Sequence, residues 1–306
     1  IRGSTFMGEK LHNARVENTI RKFFNQCLFP AIRRYGGFLL KDTGDGGIVF
    51  FAENSEDLYI KIAMLRRGET LSPEEISLKP SEDAGKRAIL CAKEMVEAAE
   101  GFVRENFHRY KKWFPEFQER KITFDGLEYD TLPPEYRKIF KIGVGIATGT
   151  AIDDVFFDFN AFGDPDLTGN LVRDANTFSK LKDPEQSVIV CDEDTVFNVL
   201  LNISTVDKHI EERTEKALRE KDMLSMALSW MASPPQKKFR IPPCGVNIAR
   251  IGVFIDPGGK ALFHPSEKEG LPYKEEHIQF ADREEILTKA NRTKVVYRIL
   301  PLKTAD

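Results

Sequence analysis

The chain has little cysteine, little histidine and almost no net charge, and each shortage removes a class of protein. Its four cysteines, Cys27, Cys91, Cys191 and Cys244, lie far apart in mostly apolar contexts. That spacing matches neither a zinc site nor a dense disulfide framework, so a reducing, cytoplasmic setting is the expectation. The five histidines, His12, His108, His209, His264 and His277, form no H-E-x-x-H and no paired metal motif. Lysine and arginine number 45 against 48 aspartate and glutamate, a formal net charge of −3. No global field therefore draws the chain to nucleic acid or to an anionic membrane. Basic pairs such as Lys111-Lys112 and Lys237-Lys238 are read as solvated faces. No stretch approaches the roughly 20 consecutive apolar residues of a membrane span, and no charged-then-apolar leader opens the sequence. Walker-type G-x-x-x-x-G-K-S/T loops and G-x-S-x-G elbows are likewise missing.

What is present is a sequence of 306 residues, 41% hydrophobic and 30% charged. Such a chain can bury a sizeable core as one large domain or two ordinary ones. It begins at Ile1 rather than at Met, so upstream sequence is expected. Its 23 phenylalanines are read as core, because stacking on nucleic acid needs a basic groove that the charge balance does not suggest.

Along the chain, Val16, Ile20, Phe23 and Cys27 recur at helical spacing and predict one buried helix face, with a kink at Pro30 and a stop at Gly36-Gly37. The runs Phe38–Leu40 and Ile48–Phe51 flank the Gly-rich KDTGDGG and predict a hairpin. The opening thus reads as strand end, helix, strand, turn, strand. Residues 52–140 hold one strong helix, in which Ser81 is the expected cap and Ala88, Ala92, Met95, Ala99 and Phe102 repeat on one side. Its flanks, RRGETLSPEEISLKP and WFPEFQERKITFDGLEYDTLPPEY, read as turn-rich surface insertions. KIGVGIATGTAIDDVFFDF predicts strand, turn at Gly149, strand; DLTGNLVRDANTFSKL a helix entered through glycine; SVIVC a short buried strand. Beyond Asp192 the pattern is helical and charged through Met231, broken at Pro234-Pro235 and Pro242-Pro243, and the tail mixes runs such as VFI and VVYRIL with polar loops.

Taken alone, Asp45 between two glycines is an ordinary turn residue, and IRGST an ordinary helix cap. Their order with other motifs adds something. IRGST, the K-x-x-x-D of Lys41 and Asp45, KIGVGIATG, the D-x-x-G of Asp166 to Gly169, and DPEQSVIV follow one another as they do in class III nucleotide cyclases. The chain resembles the catalytic domain of that family over about residues 1–200, with an unusually long insertion before Lys141.

The resemblance implies an α+β fold, a mixed and mostly antiparallel sheet with packed helices, ferredoxin-like in plan. It implies a catalytic domain over 1–210, with a helical insertion at about 52–140 and a C-terminal elaboration over 211–306 that completes or extends it. The implied reaction is attack of a ribose 3′-oxygen on the α-phosphorus of a nucleoside triphosphate, giving a 3′,5′-cyclic nucleotide and pyrophosphate. Two divalent ions, Mn2+ or Mg2+, serve it. Asp45 matches one of the family's two metal aspartates; the other, in the pattern D-I-x-G, falls immediately before Ile1, whose carbonyl is a further metal ligand. Gly3, Ser4, Thr5 and Phe6 would turn main-chain N–H groups toward the triphosphate. Lys41 and Asp166 occupy the places that read the base in adenylate-type members.

One motif departs from the family. In place of V-N-x-x-x-R the chain has Val172-Arg173 followed by Thr177. Arg173 could carry charge stabilisation at the α-phosphate with its planar fork, and Asn176 could supply an amide. Such departures are similar to those of the stand-alone bacterial cyclases that make cyclic UMP or cyclic CMP in anti-phage signalling, and a UTP or CTP substrate is the expectation. An adenylate cyclase, a silent nucleotide-binding regulatory module and a plain interaction protein are the alternatives. The resemblance further implies a head-to-tail homodimer with two equivalent sites at the interface, one chain supplying the metal aspartates and the other the base and transition-state groups, no nucleic-acid or membrane partner, and a product read by a separate cyclic-nucleotide effector. Arg250 and Lys294, after Pro242, are additional candidate phosphate ligands.

Overall fold

The computed structural model describes residues 1, 3–114, 120–149, 155–161, 163–181, 186–201, 238–255, 261–263, 278–280 and 293–300. It opens with a helix, α1 (Ser4–Leu11), where the end of a strand was the expectation. Next comes α2 (Ala14–Arg34), entered through Asn13, whose side chain accepts the N–H groups of Arg15 and Val16, each at 3.1 Å. The helix runs through Pro30 and stops where predicted: Gly36 takes φ +65°, and the Gly37 N–H returns to the Ile32 carbonyl at 2.8 Å.

The buried face of α2 is rotated from the predicted one. Ile20 is shared, but Phe24, Leu28, Ala31 and Ile32 complete the stripe, while Val16, Phe23 and Cys27 are exposed. Two apolar rows run side by side along this helix, and tertiary packing selects between them. α5 selects the row of Phe24, whose ring meets Phe102 at 5.1 Å and Phe140 at 5.0 Å. Burying such a side chain stabilises by about 1.5–3 kcal/mol, so the rotation is decided by several of these together.

β1 (Phe38–Asp42) and β2 (Gly47–Phe50) form the expected antiparallel hairpin, with a register shift between Leu39 and Lys41. Then follow α3 (Ser55–Arg66), the single turn α4 (Pro73–Ile76) and the long α5 (Ala84–Asn106). On α5, Ala92, Ala99 and Phe102 are buried as the spacing requires, and Ala88 and Met95 are half-buried against the same cores. Ser81 is not its cap. The residue before the helix is Asp83, and the Ser81 hydroxyl is taken instead by Asp83 at 2.7 Å and Arg87 at 2.8 Å.

After the short α6 (Tyr110–Trp113), the flank expected to be turn-rich carries a second hairpin, β3 (Arg120–Phe124) with β4 (Leu127–Thr131), and then α7 (Pro134–Arg137). The following elements are β5 (Gly143–Ile146), β6 (Phe156–Phe159), β7 (Pro165–Thr168), α8 (Asn170–Ser179), β8 (Val188–Asp192) and α9 (Glu193–Leu201). β9 (Lys238–Ile241), β10 (Val246–Ile255), β11 (Ala261–Phe263), β12 (Ile278–Phe280) and β13 (Thr293–Leu300) close the described chain. The charged helical pattern expected up to Met231 lies outside the described residues.

The architecture is α+β with mostly antiparallel pairing, but the strands are shared among several sheets rather than gathered in one. The largest has the order β12-β11-β10-β13-β8-β5, with β9 also on β10, while β1–β2, β3–β4 and β6–β7 are separate pairs. KIGVGIATG and VFFDF are therefore not one hairpin: β5 runs parallel to β8, and β6 pairs with β7. Partner choice here follows burial. β8 is buried along its whole length, so it needs a neighbour on each side, and β5 and β13 supply them. Packing of α8 on β5 is very close at Gly145, where an added Cβ would stand 1.9 Å from the Ala175 carbonyl oxygen.

Candidate functional site

The tip of the β1–β2 hairpin is held by hydrogen bonds rather than by packing. Thr43 N–H reaches the Gly46 carbonyl at 2.9 Å, and Gly44 N–H reaches Asp42 Oδ1 at 2.8 Å. From α2, the Asn25 amide reaches across to Asp42 Oδ1 at 3.3 Å and to the Gly44 carbonyl at 3.4 Å. Asp45 is exposed at the end of this tip, and its carboxylate meets the Thr43 hydroxyl at 3.4 Å. Its main-chain carbonyl accepts from the Ile1 nitrogen, so two residues 44 apart in sequence touch.

Ile1 and Asp45 lie at the border of a cleft of about 1520 Å³. One side of the cleft is the start of α1, Gly3, Ser4, Thr5 and Phe6. Another is α8, through Leu171, Val172, Arg173, Ala175 and Asn176. Ala84, Ala88, Cys91, Ala92 and Met95 of α5 give an apolar floor. Between these, residues 46–52 along β2 and 141–149 along β5 border the cleft in unbroken runs. Each of these two strands ends its sheet among the described residues, so both present a free edge. In Å³ the cleft exceeds the ~300–1,000 of an ordinary small-ligand pocket.

The structure thus brings together Ile1, Gly3, Ser4, Thr5, Phe6, Asp45, Arg173 and Asn176 around one cleft. Arg173 and Asn176 sit three apart on α8, on neighbouring positions of one face, and Arg173 also donates to the Asn170 side chain at 3.2 Å. Lys41, Asp166 and Thr177 do not border the cleft. Lys41 is exposed opposite Ile48. Asp166 is exposed within β7, opposite Asp158, and so stands before the helix start rather than in it. Thr177 is half-buried on α8. Arg250 lies in β10 and Lys294 in β13, and Arg2 of the IRGST turn lies outside the described residues.

Two groups that shape the cleft carry no motif. Asn25 is one; its only sequence signal is a polar residue next to the apolar stripe of α2. Asp192 is the other, fully buried where β8 meets α9. It accepts the Thr148 N–H at 3.3 Å, the Thr195 N–H at 3.0 Å and the Thr195 hydroxyl at 2.6 Å, and the Thr148 hydroxyl lies 2.8 Å from that of Thr195. These bonds fix Thr148, and with it the cleft border beyond β5. The sequence marked Asp192 only as the point beyond which the pattern turns helical; its reach to Thr148 was not legible.

The cleft offers no thiol nucleophile. Burial, aided by the Glu94 charge, pushes the Cys91 thiol up to about 12, so it stays protonated at neutral pH. Nor do three His, Cys, Asp or Glu side chains gather among the described residues. A divalent ion here would rest on Asp45, on main-chain oxygens and on ligand phosphates. Magnesium accepts such a set, since one or two carboxylates with phosphate oxygens and water complete its shell. No described helix is long and apolar enough to cross a membrane.

Comparison with family models, curated proteins and solved structures gives no match. The reading of the cleft therefore rests on its own residues.

Proposed function

We propose that the chain is a nucleotide cyclase that acts on a pyrimidine triphosphate, UTP or CTP. The observation that carries this reading is that Ile1 and Asp45, far apart in sequence, border one cleft with Gly3 to Phe6, Arg173 and Asn176. Motifs scattered through the sequence would have no reason to converge if each were an ordinary turn or cap.

In the proposed reaction the ribose 3′-oxygen forms a bond to the α-phosphorus while the bond from that phosphorus to the α,β-bridging oxygen breaks. Pyrophosphate leaves, and the hydroxyl proton passes to solvent or to a phosphate oxygen. Bound divalent ions supply a more acidic 3′-hydroxyl and a neutralised polyphosphate. Asp45 would hold an ion by its carboxylate, and Ile1 would offer it a carbonyl. Main-chain N–H groups of Gly3 to Phe6 take the triphosphate at the positive end of α1. The Arg173 fork stabilises charge at the α-phosphate, and the Asn176 amide orients the sugar.

A ferredoxin-like plan is part of this proposal: it would set one more strand between β2 and β5, the two strands whose edges, free among the described residues, border the cleft. Lys41 and Asp166, exposed and away from the cleft, belong in this proposal to the second subunit's site in a head-to-tail homodimer. Because Asp45, Arg173 and Asn176 border one cleft of one chain, the metal and transition-state groups in this proposal come from the same subunit, where the resemblance divides them between two.

The test is incubation of the full natural chain separately with ATP, GTP, UTP and CTP and manganese, quantifying pyrophosphate and cyclic product. Product from UTP or CTP alone is expected. Efficient turnover of ATP with UTP and CTP inert overturns the pyrimidine assignment. Metal-dependent nucleotide binding without pyrophosphate from any of the four points to a silent module, a reading favoured by the single free carboxylate of the tip.

A further inference from the structure

We infer that Asn25 is a positioning residue that holds the hairpin tip carrying Asp45. Asn25 is only 6% exposed, beside Phe24 and one helical turn from Leu28 on α2. A buried amide must find partners, and both of those the structure gives it are on the tip: Asp42 Oδ1 at 3.3 Å and the Gly44 carbonyl at 3.4 Å. Asp42 Oδ1 closes the set by accepting the Gly44 N–H at 2.8 Å.

The tip has little else to fix it. A Cβ added at Gly44 would meet nothing within 4 Å, and residues 41–43 and 45–47 are exposed. Packing therefore does not decide where Asp45 points, and hydrogen bonds do. Two sets of bonds refer the tip to the rest of the chain, that of the Ile1 nitrogen to the Asp45 carbonyl and those from Asn25; the latter come from a helix interior, since α2 is locked by Phe24 between Phe102 and Phe140. A carboxylate on an otherwise unsupported turn would sample many positions; Asn25 narrows them before any ligand arrives. The inference rests on the proposed function only for what Asp45 does, not for what Asn25 does to the tip.

The test compares the native protein with Asn25→Ala and with the exchange Asn25→Asp plus Asp42→Asn. The exchanged pair still sets one amide NH2 against one carboxylate, and the new amide oxygen at position 42 can still accept the Gly44 N–H, but the Gly44 carbonyl loses its donor from position 25. Amide hydrogen exchange is read at Thr43 and Gly44 and, as a reference, within α5; Mn2+ affinity is read by electron paramagnetic resonance. Asn25→Ala is expected to speed tip exchange at least ten-fold with α5 unchanged, and to weaken Mn2+ binding by about ten-fold or more, the range for residues that orient metal ligands. The exchanged pair is expected to recover part of both, since it keeps the bond between positions 25 and 42 and loses the one to the Gly44 carbonyl. Unchanged tip exchange in Asn25→Ala, equal acceleration in tip and α5, or native Mn2+ affinity on a loosened tip each overturns the inference. If the native chain binds no Mn2+ while the tip still responds and the exchange still rescues it, the metal reading fails and the positioning role stands.

Discussion

Asp42 and Asp45 share one hairpin tip, yet Asp42 Oδ1 accepts the Gly44 N–H at 2.8 Å, while among the described residues the Asp45 carboxylate meets the Thr43 hydroxyl alone, at 3.4 Å. One carboxylate serves the fold, and the other is the one that the proposed function gives to a metal ion. The two alanine variants should therefore part company. Asp45→Ala is expected to abolish manganese-dependent pyrophosphate release and leave the melting temperature near that of the native protein. Asp42→Ala is expected to lose about 1 kcal/mol of stability, the net worth of a typical hydrogen bond. Urea titration and a pyrophosphate assay on both proteins check this; a stability loss confined to Asp45→Ala would reverse the assignment.

Arg173 allows a separation of charge from geometry. Its side chain is exposed on α8, so replacing it should change stability by no more than about 0.5 kcal/mol. Turnover should respond far more. Arg173→Ala is expected to lower kcat by about 10²-fold, as removal of one preorganised donor at a developing charge does. Arg173→Lys keeps the charge without the planar fork, and should recover only part of that loss. Equal kcat in all three proteins would remove Arg173 from the chemistry.

Gly145 sets the distance between α8 and the sheet, and so the place of Arg173 and Asn176. A Cβ there would lie 1.9 Å from the Ala175 carbonyl oxygen and 2.6 Å from the Ser179 nitrogen. Both are helix backbone, which cannot swing aside as a side chain can. Gly145→Ala is expected to cost about 3 kcal/mol, at the upper end of the overpacking range. A shifted urea midpoint with an unchanged slope would show that the cost is one of stability alone. Nucleotide affinity should fall with it, because the face bearing Arg173 must move outward.

These contrasts also show what the sequence could and could not carry. The hairpin around Asp45, the stripe of α5, the glycine entry to α8 and the buried β8 were legible because each is a local pattern: a turn signal, a 3.6-residue period, a run of apolar residues. The face of α2 was not, because Phe23 and Phe24 head two adjacent apolar rows and only α5 decides between them. The partner of β5 was not, because strand pairing is settled by which neighbour is buried, far away in sequence. Among the residues that border the cleft, Asp45 and the α1 start carried motifs. Asn25 and Asp192 act through neighbours distant in the chain, 17 positions from Asn25 to Asp42 and 44 from Asp192 to Thr148, and no spacing rule links them.

Arg87 joins three segments, and its partner Asp83 gives that junction a pH dependence. Its guanidinium donates to the Gly36 carbonyl at 3.0 Å, the Ala52 carbonyl at 3.0 Å, the Ser81 hydroxyl at 2.8 Å and the Asp83 carboxylate at 2.8 Å. Gly36 and Ala52 bracket the β1–β2 hairpin, so Arg87 ties its base to the start of α5. Partial burial works against ionisation of Asp83, yet the Ser81 hydroxyl and the Arg87 guanidinium outweigh it and hold the carboxyl below its usual value. A carboxyl depressed on folding adds stability above its unfolded pKa of about 3.9, and that contribution is lost as pH falls through the lower folded value. Because the Asp83 side chain is 55% exposed, solvent screening keeps the effect small. Asp83→Asn should therefore flatten one part of the acid limb below about pH 4 and change little at neutral pH. Arg87→Met should cost about 3 kcal/mol at every pH, since it strands two carbonyls at the hairpin base. Urea midpoints measured from pH 3 to 7 on the native protein and both variants check this, and a native acid limb retained in Asp83→Asn would assign that limb to other carboxylates.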